Sequence, residues 1–255
     1  MRQNFIVHTP EEIDRIRVAA SLTASVRDAL PDLIRPGMTT LDVDEIAGQL
    51  IRDTGGKSAF LGYCGFPANI CVSVNEEVIH GIGSPFRTIT EDDIVSVDVG
   101  VEFDGAIGDC ALTFAFKELS PDRKRLLNGT REALRAGIAA AKAGNFIRNV
   151  SSAVENVAKR HRLGIVREYT GHGCGIKMHE PPEVPNYVTG NSGPRLVPGM
   201  VICIEPMLNL GRDAIRVNRQ DGWTVSTADG ADSAHFEEMV LITDKGTEVL
   251  TSAKK

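Results

Sequence analysis

The chain has no apolar run near the roughly 18 residues that a membrane-spanning helix needs. Its N-terminus, MRQNFIVHTPEEID, lacks the hydrophobic centre of a secretory signal. Cysteine is sparse: Cys64, Cys71, Cys110, Cys174 and Cys203 are odd in number and contain no C-x-x-C pair. A disulfide framework or structural zinc knuckle is therefore not expected, and reduced thiols in the cytoplasm are the simplest reading. No basic block offsets the net charge of −6, which argues against nucleic acid as a partner. What remains is ordinary: 42% hydrophobic and 24% charged residues over 255 positions, the composition of a soluble globular chain long enough to bury a sizeable core.

Thr9-Pro10-Glu11-Glu12 is a helix start, with Thr as N-cap, Pro at the first helical position and Glu closing a capping box. Ile13, Ile16, Ala20, Val26 and Leu30 carry that helix to about Leu33, where Arg35-Pro36-Gly37 ends it. A second helix is expected from about Leu41 to Arg52. Residues 57–75 mix glycine, aromatics and cysteine, as strands and turns do, and His80–Pro85 reads as a loop. Further on, Ser120-Pro121-Asp122 starts a third helix to about Lys142, and a fourth covers roughly Val150 to Arg162. Adding 107 to Asp98 gives Glu205, and Ile94–Asp98 matches Val201–Glu205 as five-residue strands that each end in an acid. The pattern suggests two structural halves, each of two helices plus antiparallel strands, related by a pseudo-two-fold. The last strand is expected from about His235 to Thr243, with Glu237 and Glu238 inside it, and residues after Leu250 read as a frayed polar tail.

Within the first half, IVSVDVGVEFDGAIGDCALTF reads as a β-hairpin. Val95, Val97, Val99, Val101 and Phe103 alternate with polar or small residues, and Asp104-Gly105 supplies a tight turn. In that register Phe103 faces Ala106 and Asp98 faces Ala111, so Asp98 and Asp109 become diagonal neighbours opposite the valines. Two bare carboxylates so placed repel each other unless a cation or proton lies between them. Taken alone, the pair reads as a solvated strand face.

Thr170 to Pro182, TGHGCGIKMHEPP, is the most unusual run. Its glycine density disfavours a helix. The odd spacing of His172 and His179 requires a bend or bulge if both imidazoles serve one site. Set beside the acids, the histidines change the reading. Asp98, Asp109, Glu205 and an acid of the last strand supply the four negative charges that two divalent cations need, and His172 adds a neutral nitrogen. Such an oxygen-rich set with one imidazole suits Mn, Fe(II), Co or Zn. Periodicity does not choose between Glu237 and Glu238. His80 and His179 then read as groups around a reacting amide.

With these residues in place, the sequence resembles the type I methionine aminopeptidases from Thr9 to Leu250. The resemblance rests on TPEEIDRIRVAA, GYCGFPANICVSVNEEVIHGI, the hairpin, TGHGCGIKMHEPPEVPNY, PGMVICIEPM and the DGWT at Asp221–Thr224. It implies an α+β pita-bread fold, two pseudo-symmetric halves (about 9–116 and 120–250) around a central antiparallel sheet with helices outside. It also implies a single catalytic domain over residues 1–255. By the family pattern Asp98 would chelate one of two divalent metal ions, Asp109 and Glu237 would bridge both, and His172 and Glu205 would complete the other. The Thr243-Asp244-Lys245-Gly246 anchor selects Glu237 over Glu238. Glu205 would also exchange protons with the nucleophilic water, His80 would contact the peptide on its leaving side, and His179 the scissile carbonyl. Tyr63, Phe66, Cys71 and Trp223 would line the methionine pocket.

The implied activity is removal of the initiator methionine from new polypeptides when the second residue is small and uncharged. The implied partners are nascent N-termini, with ribosome association an open expectation, no membrane, no nucleic acid specificity and a monomeric state. Cys64, Met178 and Cys110 depart from the familiar bacterial pattern, none at a metal ligand; Cys64 and Cys71 are expected to be buried, inert thiols. Two alternatives share the fold: the prolidase and aminopeptidase P branch, usually with a large additional N-terminal domain, and metal-free binding proteins, which typically lose ligands.

Overall fold

The computed structural model describes residues 5–252. Helix α1 (Pro10–Leu33) starts at the expected capping box, where Thr9 Oγ1 accepts from Glu12 N and the Glu12 carboxylate accepts from Thr9 N. α2 (Thr40–Asp53) is capped in the same way by Thr39 and Asp42. α3 (Pro121–Ala140) follows Ser120. α4 (Ile147–Arg160) begins earlier than its apolar pattern suggests, because the Asn149 side chain accepts from the Phe146 N–H and closes the first turn.

Nine strands build the centre of the molecule: β1 (Cys71–Val74), β2 (Ile94–Phe103), β3 (Ala106–Ala115), β4 (Gly171–Gly173), β5 (Glu180–Val184), β6 (Val201–Ile204), β7 (Ser233–His235), β8 (Glu238–Thr243) and β9 (Gly246–Val249). In the first sheet β2 has β3 on one edge and β1 on the other. The hairpin keeps its expected register without a bulge, from Ile94 opposite Ala115 to Phe103 opposite Ala106. The second sheet runs β9-β8-β6-β4-β5.

Each sheet buries its apolar face under two helices. Val95, Val97, Val99 and Val101 pack with Leu30, Val43 and Ile51 of α1 and α2, whereas Ile202, Ile204, Val240 and Ile242 pack with Leu126, Val150 and Val154 of α3 and α4. Removing such side chains from water supplies about 1.5–3 kcal/mol apiece. A Cβ at Gly108 would lie 2.5 Å from the Ala20 Cα, so glycine there is what lets α1 cross directly on the hairpin.

The sheets join at a short seam. Ala111 N donates to Glu237 O (3.4 Å) and Glu237 N to Ala111 O (3.0 Å). Thr113 extends the seam with its side chain: its hydroxyl donates to His235 O (2.8 Å) and accepts from His235 N (2.9 Å).

Three expectations need correction. The strand that carries Asp98 does not end at the acid but runs on to Phe103, paired throughout. Its counterpart does end, at Ile204, since Pro206 cannot donate to a ladder. The last strand is two pieces, β7 and β8, broken at Phe236–Glu237 where the chain changes partner from Met207–Asn209 to β6. The stretch after Leu250 is not frayed at Thr251, which is 0% exposed. Its hydroxyl accepts from Met239 N and donates to Glu238, and its carbonyl accepts from Arg27. Among the described residues no helix is long and apolar enough to cross a membrane.

Arg27 lies on the buried face of α1, with Nη1 3.1 Å from Glu238 Oε2. Removing one partner of such a pair strands the other charge, at a cost of about 3 kcal/mol or more. Arg27→Met is therefore expected to lower the unfolding free energy by about 3 kcal/mol, read as a lower urea midpoint with an unchanged m-value; a loss below about 1 kcal/mol would show the pair to be dispensable.

Candidate metal centre and substrate cleft

The hairpin register sets the first two acids. Asp98 lies opposite Ala111 and Asp109 opposite Gly100, so both carboxylates leave the face away from the valines. The seam adds the third: its pair with Ala111 puts Glu237 on the adjoining edge. Glu205 follows β6 directly, and Ile204 is paired with Glu238, so Glu205 stands beside Glu237. His172 comes from β4, where the register shifts between His172 and Gly173. That bulge and the loop 174–179 answer the spacing problem: the His172 and His179 rings end 4.3 Å apart between centroids.

Five candidate ligands thus converge from two sheets. Asp98, Asp109 and Glu237 form one set of donor atoms within 4.8 Å of one another; His172, Glu205 and Glu237 form another, with Glu237 common to both. His172 Nε2 lies 3.6 Å from Asp109 Oδ2 and 3.5 Å from Glu205 Oε1. Asp98 Oδ1, Asp109 Oδ1 and Glu237 Oε1 are buried without a hydrogen-bond partner. Burial, and then the neighbouring Glu205, push Asp98 up to about 7 despite the opposing pull of His235; burial pushes Glu205 up to about 8. Asp109 and Glu237 are pushed well above the usual carboxyl range, by burial first and then by Glu237, Asp98 and Glu205 around Asp109 and by Glu205 and Asp98 around Glu237. Burial holds His172 down to about 3, hence neutral. Orphaned carboxylate oxygens, four acids that resist ionising together and one neutral imidazole fit a pair of divalent cations.

Beside this cluster lies a cleft of about 320 Å³. Tyr63, Phe66, Cys71, His80, His179 and Trp223 all line it together with the five candidate ligands, as do Phe60, Met178 and Tyr169. Phe66 meets Trp223 edge-on at 5.1 Å, and Asp221 fixes that turn by accepting from the N–H groups of Trp223 and Thr224. Tyr63 Oη is 2.8 Å from His179 Nδ1. His80 sits at φ 58° with its ring edge-on to Tyr169 and Trp223, and burial lowers it to about 4. Cys71 is buried as expected, but Cys64 is exposed, on a turn with φ 51° at the cleft mouth.

Two features were missed in the sequence. His235 Nε2 lies 3.6 Å from Glu205 Oε2 and has no other partner; its place two residues before Glu237, on the same strand face, was the available signal. Glu180 is buried beneath the histidine loop. It accepts from Ile176 N (3.0 Å) and Lys177 N (2.7 Å) and approaches His8 Nε2 at 3.2 Å, so the segment before α1 clamps the loop that carries His179.

The raised carboxyls hold protons in the folded, metal-free protein where the unfolded chain has released them. Their contribution to stability is thus present at low pH and lost as pH rises through 7 and 8. The opposite contribution of His172 is confined below its unfolded value of 6.5. Metal-free protein should therefore unfold at progressively lower urea concentration as pH rises from 6.5 to about 9, and saturating Mn²⁺ should reverse the trend. A midpoint that climbs over this window without metal would contradict the buried acid cluster.

The pattern of metallopeptidase family M24 matches residues 14–244. A methionine aminopeptidase of Treponema pallidum is 47% identical over 247 residues, 96% of this chain and 95% of that one. The crystal structure of a methionine aminopeptidase from Thermotoga maritima is similar with a TM-score of 0.94 at 38% identity, covering 97% of this chain and 99% of that chain. A prolidase from Pyrococcus furiosus shares the fold, with a TM-score of 0.79 at 23% identity, and 66% of its length is covered. The chain belongs to metallopeptidase family M24, in its methionine aminopeptidase branch, and has the pita-bread fold.

Proposed function

We propose that this chain hydrolyses the peptide bond after an N-terminal methionine, acting in the cytoplasm on new polypeptides whose second residue is small and uncharged. The observation that carries the reading is the placement of a largely apolar cleft against five converging ligands. Asp98, Asp109 and Glu237 would hold one divalent cation, and His172, Glu205, Asp109 and Glu237 the other. When bound, the pair supplies a water of lowered pKa and polarises a carbonyl oxygen.

The chain's own residues do the rest. Phe66, Cys71 and Trp223 enclose an unbranched thioether, which an apolar, polarizable lining suits. Glu205, whose carboxyl takes up a proton near neutral pH, can remove one from the attacking water and return it to the leaving amine. With Tyr63 donating to His179 Nδ1, the ring presents Nε2–H to the cleft, where it can hydrogen-bond the scissile carbonyl as charge develops. His80 faces the peptide from the leaving side. The tight space between ligands and histidines limits the second residue to a small side chain.

Metal-loaded protein is expected to cleave Met-Ala-Ser well, Leu-Ala-Ser poorly and Ala-Pro peptides not at all; preferential Ala-Pro cleavage would return the assignment to the prolidase branch. Asp98→Ala, Asp109→Ala or Glu237→Ala should abolish metal binding and turnover together. His179→Ala should retain metal by elemental analysis while kcat falls about 10²- to 10³-fold, the usual loss for one transition-state donor. Loss of metal in that variant would refute its non-ligand role.

A further inference from the structure

The carboxylate face carries thiols that the peptidase chemistry does not use. Gly173 pairs with Ile202, which sets His172 and Cys174 on one strand against Cys203 and Val201 on the next. By the two-residue period of extended chain, His172, Cys174, Cys203 and Glu205 all face the same side. Both sulfurs are fully buried. Cys203 Sγ is 3.9 Å from Asp109 Oδ2, the same oxygen that lies 3.6 Å from His172 Nε2. One donor atom from each of Asp109, His172, Cys174 and Cys203 falls within 4.8 Å of the others.

Two thiols, one imidazole and one carboxylate are a donor set of different character from the five oxygen-rich ligands beside them. Four donors of this kind suit a tetrahedral, thiophilic d¹⁰ cation. With metal–sulfur and metal–nitrogen bonds of about 2.0–2.3 Å, the donors would stand roughly 3.6 Å apart, so closure asks each to move by about an ångström or less. A soft cation displaces a thiol proton by bonding to sulfur, which a hard, oxygen-preferring cation does not do.

We propose that the centre has a second, thiol-bearing binding mode: a soft divalent cation such as Cd²⁺, or Zn²⁺ in excess, is captured by Cys174 and Cys203 together with Asp109 and His172. Each thiol releases its proton to solvent as its metal–sulfur bond forms, with no change of oxidation state. Asp109 and His172 are thereby drawn away from the hard-cation pair, so soft cations inhibit this chain instead of activating it. The inference rests on the reading of Asp109 and His172 as ligands of that pair.

The test uses metal-free protein titrated with Cd²⁺ and followed by the ultraviolet sulfur-to-cadmium charge-transfer band. The wild-type chain should develop the band at one equivalent. Cys174→Ser and Cys203→Ser should each lose about half of it and the double variant nearly all, with circular dichroism verifying the fold; if the double variant does not fold, the two single variants decide. Cys64→Ser, which changes the exposed thiol, should keep the band. Absence of the band from the wild-type chain, or its survival without both buried thiols, overturns the proposal. Calorimetry with Mn²⁺ on the wild-type chain separates the two readings: no Mn²⁺ binding refutes the hard-cation pair, whereas Mn²⁺ binding without a cadmium–thiolate band refutes only the thiol mode.

Discussion

Four carboxyl groups taken out of water at one seam are the constraint on which this structure depends. Asp109 is 3% exposed, Glu237 2% and Glu205 8%, and with Asp98 they push one another toward the protonated form. No fold gathers such groups for stability, because each is more comfortable hydrated and ionised. The surrounding architecture supplies what a cation site needs instead. Two sheets are stiffened from behind by α1–α4, and their edges meet where Ala111 is small enough to admit Glu237.

The rigid and irregular parts divide the work. The hairpin β2–β3 is regular and paired over its whole length, so it holds Asp98 and Asp109 at a separation that cannot drift. The second half reaches the same place through irregularities: a bulge at His172, a strand stopped by Pro206 and the break at Phe236–Glu237 that re-aims Glu237. Glu238, one residue on, points the opposite way and is tied to Arg27 and Thr251. Adjacent acids on one chain thus receive unrelated roles from the alternation of a strand. The histidine loop and the Tyr63 turn lie outside the sheets, where a substrate can reach them, and Glu180 with His8 holds that loop from beneath.

Much of this was written in local pattern. Thr9-Pro10-Glu11-Glu12 capped α1 because capping is a contact between residues three apart. The Asp104-Gly105 turn and the valine alternation set a register of ten pairs that the structure repeats from end to end. Motif resemblance went further and brought Glu205, Glu237 and both histidines to one site, since a family pattern stores distant contacts that periodicity cannot hold.

The amino-acid sequence by itself determined the elements, the valine face, the side of β2 on which its acids fall and the family to which the chain belongs. Those follow from interactions between near neighbours and from motifs. Only the tertiary structure decided that Thr251 is buried under α1, that His235 faces Glu205, that Cys64 is open to solvent and that Cys174 and Cys203 stand beside Asp109. Each of those depends on which strand lies next to which and where a strand breaks. The energies that choose these arrangements belong to residues far apart in the chain, and no local period records them.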